Sequence, residues 1–146
     1  MSKTKENPEI DFQLVKIEPV GFSMDLPEGI KVSADFQFRI FLESYINAEK
    51  KKLVVSNTVD IRAGSDTPVL ATMSTKFHFD ITGLDHIKKN KKGQHIVPPA
   101  IQLAVNTIAL STTRGLLFSQ FKGTPLHNAI LPLIDPADFS VNEVES

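Results

Sequence analysis

The chain has 146 residues, a formal net charge of −1 and no cysteine. This length predicts one domain over residues 1–146, with residues 1–9 and 140–146 frayed. The small net charge argues against electrostatic binding to nucleic acid or to an anionic membrane, and the lack of cysteine excludes disulfides and thiolate chemistry. The first residues do not resemble a signal peptide and no apolar run is long enough to span a membrane, so we expect a cytoplasmic protein.

Four segments with alternating apolar and polar residues occupy the first part of the chain. They cover about residues 10–26, 32–43, 53–62 and 69–81. Pro19 interrupts the first segment and predicts a bulge or an edge position, because proline has no N–H donor. The alternation predicts an antiparallel sheet with one covered face, and the short connections favour hairpin or Greek-key links over crossover helices.

Residues 96–121 predict a long helix that is apolar over most of its surface. Pro98 and Pro99 suit its first turn, where helical N–H groups have no partner within the helix. An ordinary surface helix has one apolar stripe and a broad polar side. Here the polar residues form only a thin stripe through Gln102, Asn106, Thr113 and Gln120.

This apolar excess indicates a second contact for the helix. Exposing three or four large aliphatic side chains would forgo about 1.5–3 kcal/mol each. We therefore predict that the helix packs on its own sheet and also on another copy of the chain; a central helix buried within one domain is the alternative. The candidate contact residues at helical spacing are Ile101, Val105, Ile108, Thr112 and Gly115.

Strands followed by a helix predict an α+β fold, with a four-stranded antiparallel, Greek-key-like sheet and a long helix packed on one face. After the helix, residues 126–139 are apolar but contain Pro132 and Pro136, so they do not form one regular helix. The two lysine runs, at residues 50–52 and 88–92, are predicted in a hairpin turn and a solvated loop. Arg114 either binds an acidic group or carbonyls, or acts as a cation near the end of the helix.

No pattern in the chain points to catalysis or to a metal. The four histidines form no pair at i, i+4 spacing, and the acidic residues do not cluster as in a divalent-ion site. We expect no metal ion, no cofactor and no enzyme activity. The competing hypothesis is a small-ligand enzyme such as a thioesterase-like dimer, for which Asp85, His86 and His95 are the candidate residues.

Several short motifs, in this order, resemble the SecB-type export chaperones. Residues 79–83, FDITG, resemble the Phe-x-Ile-x-Gly end of that family's fourth strand, and Pro98 lies where its first long helix begins. Thr113-Arg114-Gly115 matches a Ser/Thr-Arg-Gly signature. Residues 131–139 resemble the apolar stretch that follows, with proline and a closing phenylalanine. Over residues 10–76 the likeness is the pattern of four strands.

The resemblance implies a dimer of dimers, with helices between sheets, that holds unfolded or nascent polypeptides without ATP. Flexible apolar contact and pairing at strand edges suit partners of variable sequence. Related SecB-like proteins guard toxin–antitoxin pairs or have no assigned role. The alternative function is therefore a module dedicated to one partner, such as an antitoxin. The solvent face of the predicted sheet is mixed in charge, which argues against docking of the translocation motor SecA.

A polypeptide-binding groove is predicted from apolar residues in the segments on either side of the helix. Core packing is the competing interpretation of each of these residues. The candidates are Phe77, Phe79, Leu84, Ile87, Leu126, Ile130, Leu131 and Leu133.

Overall fold

The computed structural model describes residues 10–27, 36–64 and 67–135. Its strands are β1 (Asp11–Met24), β2 (Gln37–Asn47), β3 (Lys52–Arg62) and β4 (Val69–Thr82). A short 3-10 helix (Leu84–His86) and the helix α1 (Pro99–Phe121) follow. The ends predicted to fray, residues 1–9 and 140–146, lie outside the described residues, as do residues 32–35 of the second predicted strand.

The four strands form one antiparallel sheet in the order β1-β4-β3-β2. Strands β2, β3 and β4 are successive neighbours, and β1 lies beside β4, which is a Greek-key order. The helix α1 packs across β3 and β4 on one face of this sheet. The predicted α+β architecture is therefore confirmed.

Strand β1 carries two irregularities in its pairing with β4. Register shifts occur between Leu14 and Lys16 and between Pro19 and Gly21. The second confirms the bulge predicted at Pro19, whose missing N–H leaves the ladder without a donor. Next to the bulge, Val20 is 55% exposed.

Both lysine runs lie at turns. In the β2–β3 hairpin, Lys51 has φ 54° and its N–H donates to the Ala48 carbonyl at 3.2 Å. The second run lies in a small hairpin in which Lys89 pairs with His95. Ile87 and Val97, at the base of that hairpin, are buried. The turn and loop predictions are confirmed, with more regular backbone in the second run than expected.

The helix is shorter at its start than predicted. Pro98 is its N-cap and Pro99 its first helical residue. Ile96 lies outside the helix and its N–H donates to the Lys88 carbonyl at 2.8 Å, which closes the hairpin instead. Gly123, with φ 79°, follows the helix C-terminus, a backbone conformation that glycine adopts without strain.

The core between the helix and the sheet consists of two apolar clusters. The first joins the β3–β4 loop end of the sheet to Leu117 and Phe121 of α1 and to Leu126 and Leu131 beyond it. The second lies at the other end of the sheet. Its buried members are Leu53, Val55, Phe77, Phe79, Val97, Ile101, Val105 and Ala109.

Five buried polar residues among the described ones lie beside these clusters, and we call them the polar row. On the sheet it contains Asn57 and Thr75, which are register partners on β3 and β4. On the helix it contains Gln102, Asn106 and Thr113. The polar stripe of the helix, apart from the exposed Gln120, thus faces the sheet. The sequence does not reveal this orientation, because polar residues are mostly expected at the surface.

Hydrogen bonds connect the polar row. Asn57 Nδ2 donates to Thr113 Oγ1 at 2.7 Å, and Gln102 Nε2 donates to Ser44 Oγ at 2.8 Å and to Asn106 Oδ1 at 2.9 Å. Within the described residues, Asn57 Oδ1 and Gln102 Oε1 are buried without a hydrogen-bond partner. The row positions the helix on the sheet through specific donors rather than through apolar contact alone.

Candidate functional site

Most of the exposed large apolar side chains fall into three groups. One lies along the bulged edge strand β1, and one lies on the face of β2 that points away from the helix. The third lies on the outer side of α1 and in the segment after it. In that order they are Val15, Ile17 and Val20; Phe41 and Tyr45; and Leu103, Phe118, Ile130 and Leu133. Among the described residues, Ile96, before the helix, is also exposed and belongs to none of these groups. Isolated exposed apolar residues are normal, whereas grouped ones mark contact surfaces.

The outer side of α1 is apolar or small in character. Leu103 is 44% exposed and Phe118 53% exposed. Thr107 between them donates its hydroxyl to the Leu103 carbonyl at 2.8 Å, so its polar group is satisfied within the helix. A Cβ atom added at Gly115 would meet nothing within 4 Å. In the single chain, this side of the helix is open, so another polypeptide could pack against it.

Turns that begin at Thr124 set the course of the segment after α1. The Thr124 hydroxyl donates to the Phe121 carbonyl at 2.8 Å, and its oxygen accepts from the Leu126 N–H at 3.1 Å. Leu126 and Leu131 then insert into the core, each at most 1% exposed. No described part of residues 126–135 is helical, in agreement with the sequence prediction.

Two large apolar residues of this segment, Ile130 and Leu133, are exposed on either side of the buried Leu131. They are 53% and 89% exposed. Nearby, Phe118, Lys122, Gly123 and His127 line a shallow depression of about 330 Å³ between the end of α1 and the segment. We call the exposed residues Phe118, Ile130 and Leu133, at the end of α1 and in the segment after it, the apolar shelf.

Arg114 connects the helix to this same segment. Its Nε donates to the Leu131 carbonyl at 2.9 Å and its Nη2 to the Pro132 carbonyl at 3.1 Å. Of the alternatives left open by the sequence, the structure therefore selects carbonyl binding. Arg114 lies about two turns before the end of α1, and its hydrogen bonds go to the segment after the helix rather than to the last carbonyls of α1.

The predicted groove residues separate into core and surface positions. Phe77 and Phe79 lie beneath α1 at 0% exposure, since β4 is central in the sheet and its inward phase faces the helix. Ile87, Leu126 and Leu131 are also buried, and Leu84 is partly exposed. Core packing therefore accounts for the buried five in the single chain. Ile130 and Leu133 are the candidates with open surfaces.

The predicted contact residues of the helix also divide. Ile101 and Val105 pack in the core of their own chain, Ile108 and Thr112 are partly exposed, and Gly115 is exposed. The buried side of α1 moves around the helix axis along its length, as expected for a straight helix crossing a twisted sheet. A line of residues at regular spacing therefore starts in the core and emerges on the outer side.

Some candidate surface residues escaped the sequence analysis. Tyr45 lies beyond the predicted end of the second strand, and it is 49% exposed on the same face as Phe41. The sequence did contain a signal for Tyr45. Alternate residues of a strand share a face, so Phe41, Glu43 and Tyr45 lie on the same side of β2. Phe118 was assigned to the helix but not to the groove.

The titratable groups are dispersed. No set of three or more metal-binding side chains occurs in the described part of the chain. Asp85 and His86 are exposed in the 3-10 helix, and His95 lies in the hairpin that precedes α1. On the outer face of the sheet, His78 Nε2 lies 2.7 Å from Glu18 Oε1, and this hydrogen bond lowers the pKa of the Glu18 carboxyl. In the described residues, no helix has the length and hydropathy needed to cross a membrane.

Comparison with known proteins supports the fold. No family model matches this sequence, and no curated protein matches it. Among solved structures, the chain is similar to the Mycobacterium tuberculosis SecB-like chaperone Rv1957 in complex with a ChAD peptide from the HigA1 antitoxin, Rv1956. The TM-score is 0.58 at 12% sequence identity, over 84% of this chain and 89% of that chain. At this identity the likeness concerns the fold alone.

Proposed function

We propose that this protein is a SecB-like chaperone that binds unfolded or nascent polypeptides without ATP and keeps them from aggregating. The observation that carries the proposal is the apolar shelf, in which Phe118, Ile130 and Leu133 are each more than half exposed. Apolar surface of this kind suits clients of variable sequence, because burial is favourable whatever side chain is buried. The similar fold of a SecB-like chaperone solved with a peptide supports the same function.

We propose further that the protein works as a homo-oligomer, as a dimer of dimers. Leu103 and the small residue Gly115 on the outer side of α1 support this, since a second helix can approach closely where the side chains are small. A native mass well above the 16.2 kDa of one chain is the expected result of light scattering at micromolar concentration. A particle of single-chain mass would contradict the assembly and leave the binding proposal standing.

The test of binding is suppression of aggregation. A reduced, unfolded client should stay in solution at near-stoichiometric chaperone without nucleotide. Charge placed in the apolar shelf, as in Ile130→Asp with Leu133→Asp, should abolish protection, because the carboxylates would lose solvation under an apolar client. Asn128→Asp adds one carboxylate at an exposed polar neighbour and should protect like the wild type, whereas either single variant, Ile130→Asp or Leu133→Asp, should weaken protection. Equal precipitation with and without the protein would overturn the proposal.

A module dedicated to one partner is the second candidate, favoured by the antitoxin peptide bound to the similar structure. Copurification separates the two functions. One dominant partner in stoichiometric amount indicates the dedicated module, and a mixture of polypeptides indicates the general chaperone.

The proposal does not include docking to SecA. The outer face of the sheet mixes cations and carboxylates, and Arg39 and Asp60, for example, are register partners there. Lys52 and Asp80 form an ion pair on the same face. Such a face offers no field of one sign to attract a charged partner.

A further inference from the structure

Residues 130–135 have no regular secondary structure, yet Ile130 and Leu133 are exposed on either side of the buried Leu131. Strands and helices fix side-chain directions through their main-chain hydrogen bonds. Within the described residues, the turn hydrogen bonds of this segment lie earlier: the His127 N–H donates to the Thr124 carbonyl and the Ala129 N–H to the Leu126 carbonyl. Something else must orient the part that carries the shelf residues.

Arg114 supplies that orientation. Its planar guanidinium binds the carbonyls of Leu131 and Pro132, which belong to two successive peptide planes. One rigid group on α1 thus fixes both planes relative to the helix, and the ring of Pro132 fixes φ between them. The Leu131 side chain, 1% exposed, anchors the same point in the core. The directions of the flanking Ile130 and Leu133 follow from these constraints.

We propose that Arg114 is a positioning residue of the polypeptide-binding surface, which holds the apolar shelf in its open arrangement before a client arrives. This inference rests on the proposed function. A surface that is ordered in advance avoids the entropy cost of ordering it on binding, so affinity increases without any new contact. Phe118 lies one helical turn after Arg114, on the same side of α1, which brings the helix part of the shelf beside the segment that Arg114 holds.

Substitution of Arg114 gives the test. Arg114→Met keeps an apolar stem and removes both hydrogen bonds, and Arg114→Lys keeps the charge but lacks the planar fork. The matched control is Arg39→Met, which removes the same charge from an exposed position on the outer face of β2. The probe is a fluorescein-labelled, unstructured peptide rich in leucine and phenylalanine, followed by fluorescence anisotropy.

The expected result is a Kd about tenfold weaker for Arg114→Met, the scale set by two lost hydrogen bonds from a charged donor. Arg114→Lys should fall between Arg114→Met and wild type, and Arg39→Met should stay within about twofold of wild type. Amide exchange should become faster at His127 and Ala129, whose N–H groups donate hydrogen bonds in this segment, and remain unchanged at Val55 and Leu117. A residue that acted only through overall stability would change exchange at all four amides.

The outcomes separate the two proposals. If the wild type binds the probe and Arg114→Met binds it equally well, the positioning role is wrong and the proposed function stands. Faster exchange throughout the chain also overturns the positioning role. If the wild type binds no peptide, the proposed function fails. If Arg114→Met does not fold, Arg114→Lys still tests the positioning role. Peptide affinity and amide exchange equal to those of the wild type in Arg114→Lys would show that the planar guanidinium is not needed.

Discussion

Each side of α1 departs from the pattern of an ordinary surface helix: the inner side, although mostly apolar, also buries polar residues, and the outer side exposes large apolar ones. The inner side places Gln102, Asn106 and Thr113 against the sheet, and the outer side exposes Leu103 and Phe118. Buried polar groups contribute little net stability but restrict how two elements fit together. Exposed apolar groups contribute nothing until something covers them. The inner side therefore specifies the fold, and the outer side is available for binding.

The largest expected difference between the two sides of α1 is the effect on stability of replacing Phe121, on the inner side, or Phe118, on the outer side. Phe121 is fully buried beside Phe22, with ring centroids 6.0 Å apart, whereas Phe118 is 53% exposed. Phe121→Ala should lower the free energy of unfolding by about 3–5 kcal/mol because it leaves a cavity. Phe118→Ala should lower it by less than about 1 kcal/mol. Urea titration at low protein concentration measures both. Equal losses would mean that another surface already covers Phe118.

The next largest expected effect on stability comes from substitutions in the polar row. Thr113→Val removes the acceptor of the Asn57 amide and leaves a buried donor unpaired, so we expect a loss of about 1–3 kcal/mol in the free energy of unfolding. The double variant Asn57→Leu with Thr113→Val removes both partners and should recover most of that loss. Urea unfolding of the complete double-mutant cycle measures the coupling. A double variant as unstable as the sum of the single ones would argue against a paired role.

A substitution at Gly115 tests whether the outer side of α1 is free of contacts in the separated chain. Gly115→Ala should raise the free energy of unfolding of the separated chain by about 0.5–1 kcal/mol, since alanine is the better helix former and its Cβ meets no atom within 4 Å. Gly123→Ala is the control and should be destabilising, because φ there is +79°. Thermal unfolding at dilute protein measures both. Destabilisation by Gly115→Ala would show that another chain contacts this position at that dilution.

The smallest effect is expected where polar groups meet in solvent, at Glu18 and His78. The hydrogen bond to His78 lowers the pKa of Glu18 in the folded chain below its ordinary value. Its contribution to stability is therefore complete above the unfolded pKa of about 4.3 and is lost as pH falls through the folded pKa. Urea midpoints measured between pH 6 and pH 3 should fall slightly less for Glu18→Gln than for the wild type. Identical pH profiles for the two proteins would show that the Glu18–His78 hydrogen bond does not contribute to stability.

The sequence by itself determined the class of fold and most of its elements. Alternation with period two fixes which residues of a strand share a face, and Pro19 and Pro98 act through a missing N–H that no tertiary contact restores. The bulge and the four strands therefore follow from local chemistry, as does the place of the two prolines in the first turn of the helix, although the helix begins three residues later than predicted. The apolar excess of residues 96–121 likewise predicted a second contact for the helix, and Leu103 and Phe118 are exposed in the single chain.

Only the tertiary structure decided which side of α1 faces the sheet and which apolar residues stay exposed. Burial of Gln102, Asn106 and Thr113 depends on partners such as Asn57 and Ser44, which are distant in sequence. Phe77 and Leu133 are both apolar residues in flanking segments, yet one is 0% and the other 89% exposed. Hydrophobicity is a property of each residue, whereas burial depends on what the rest of the chain places over it.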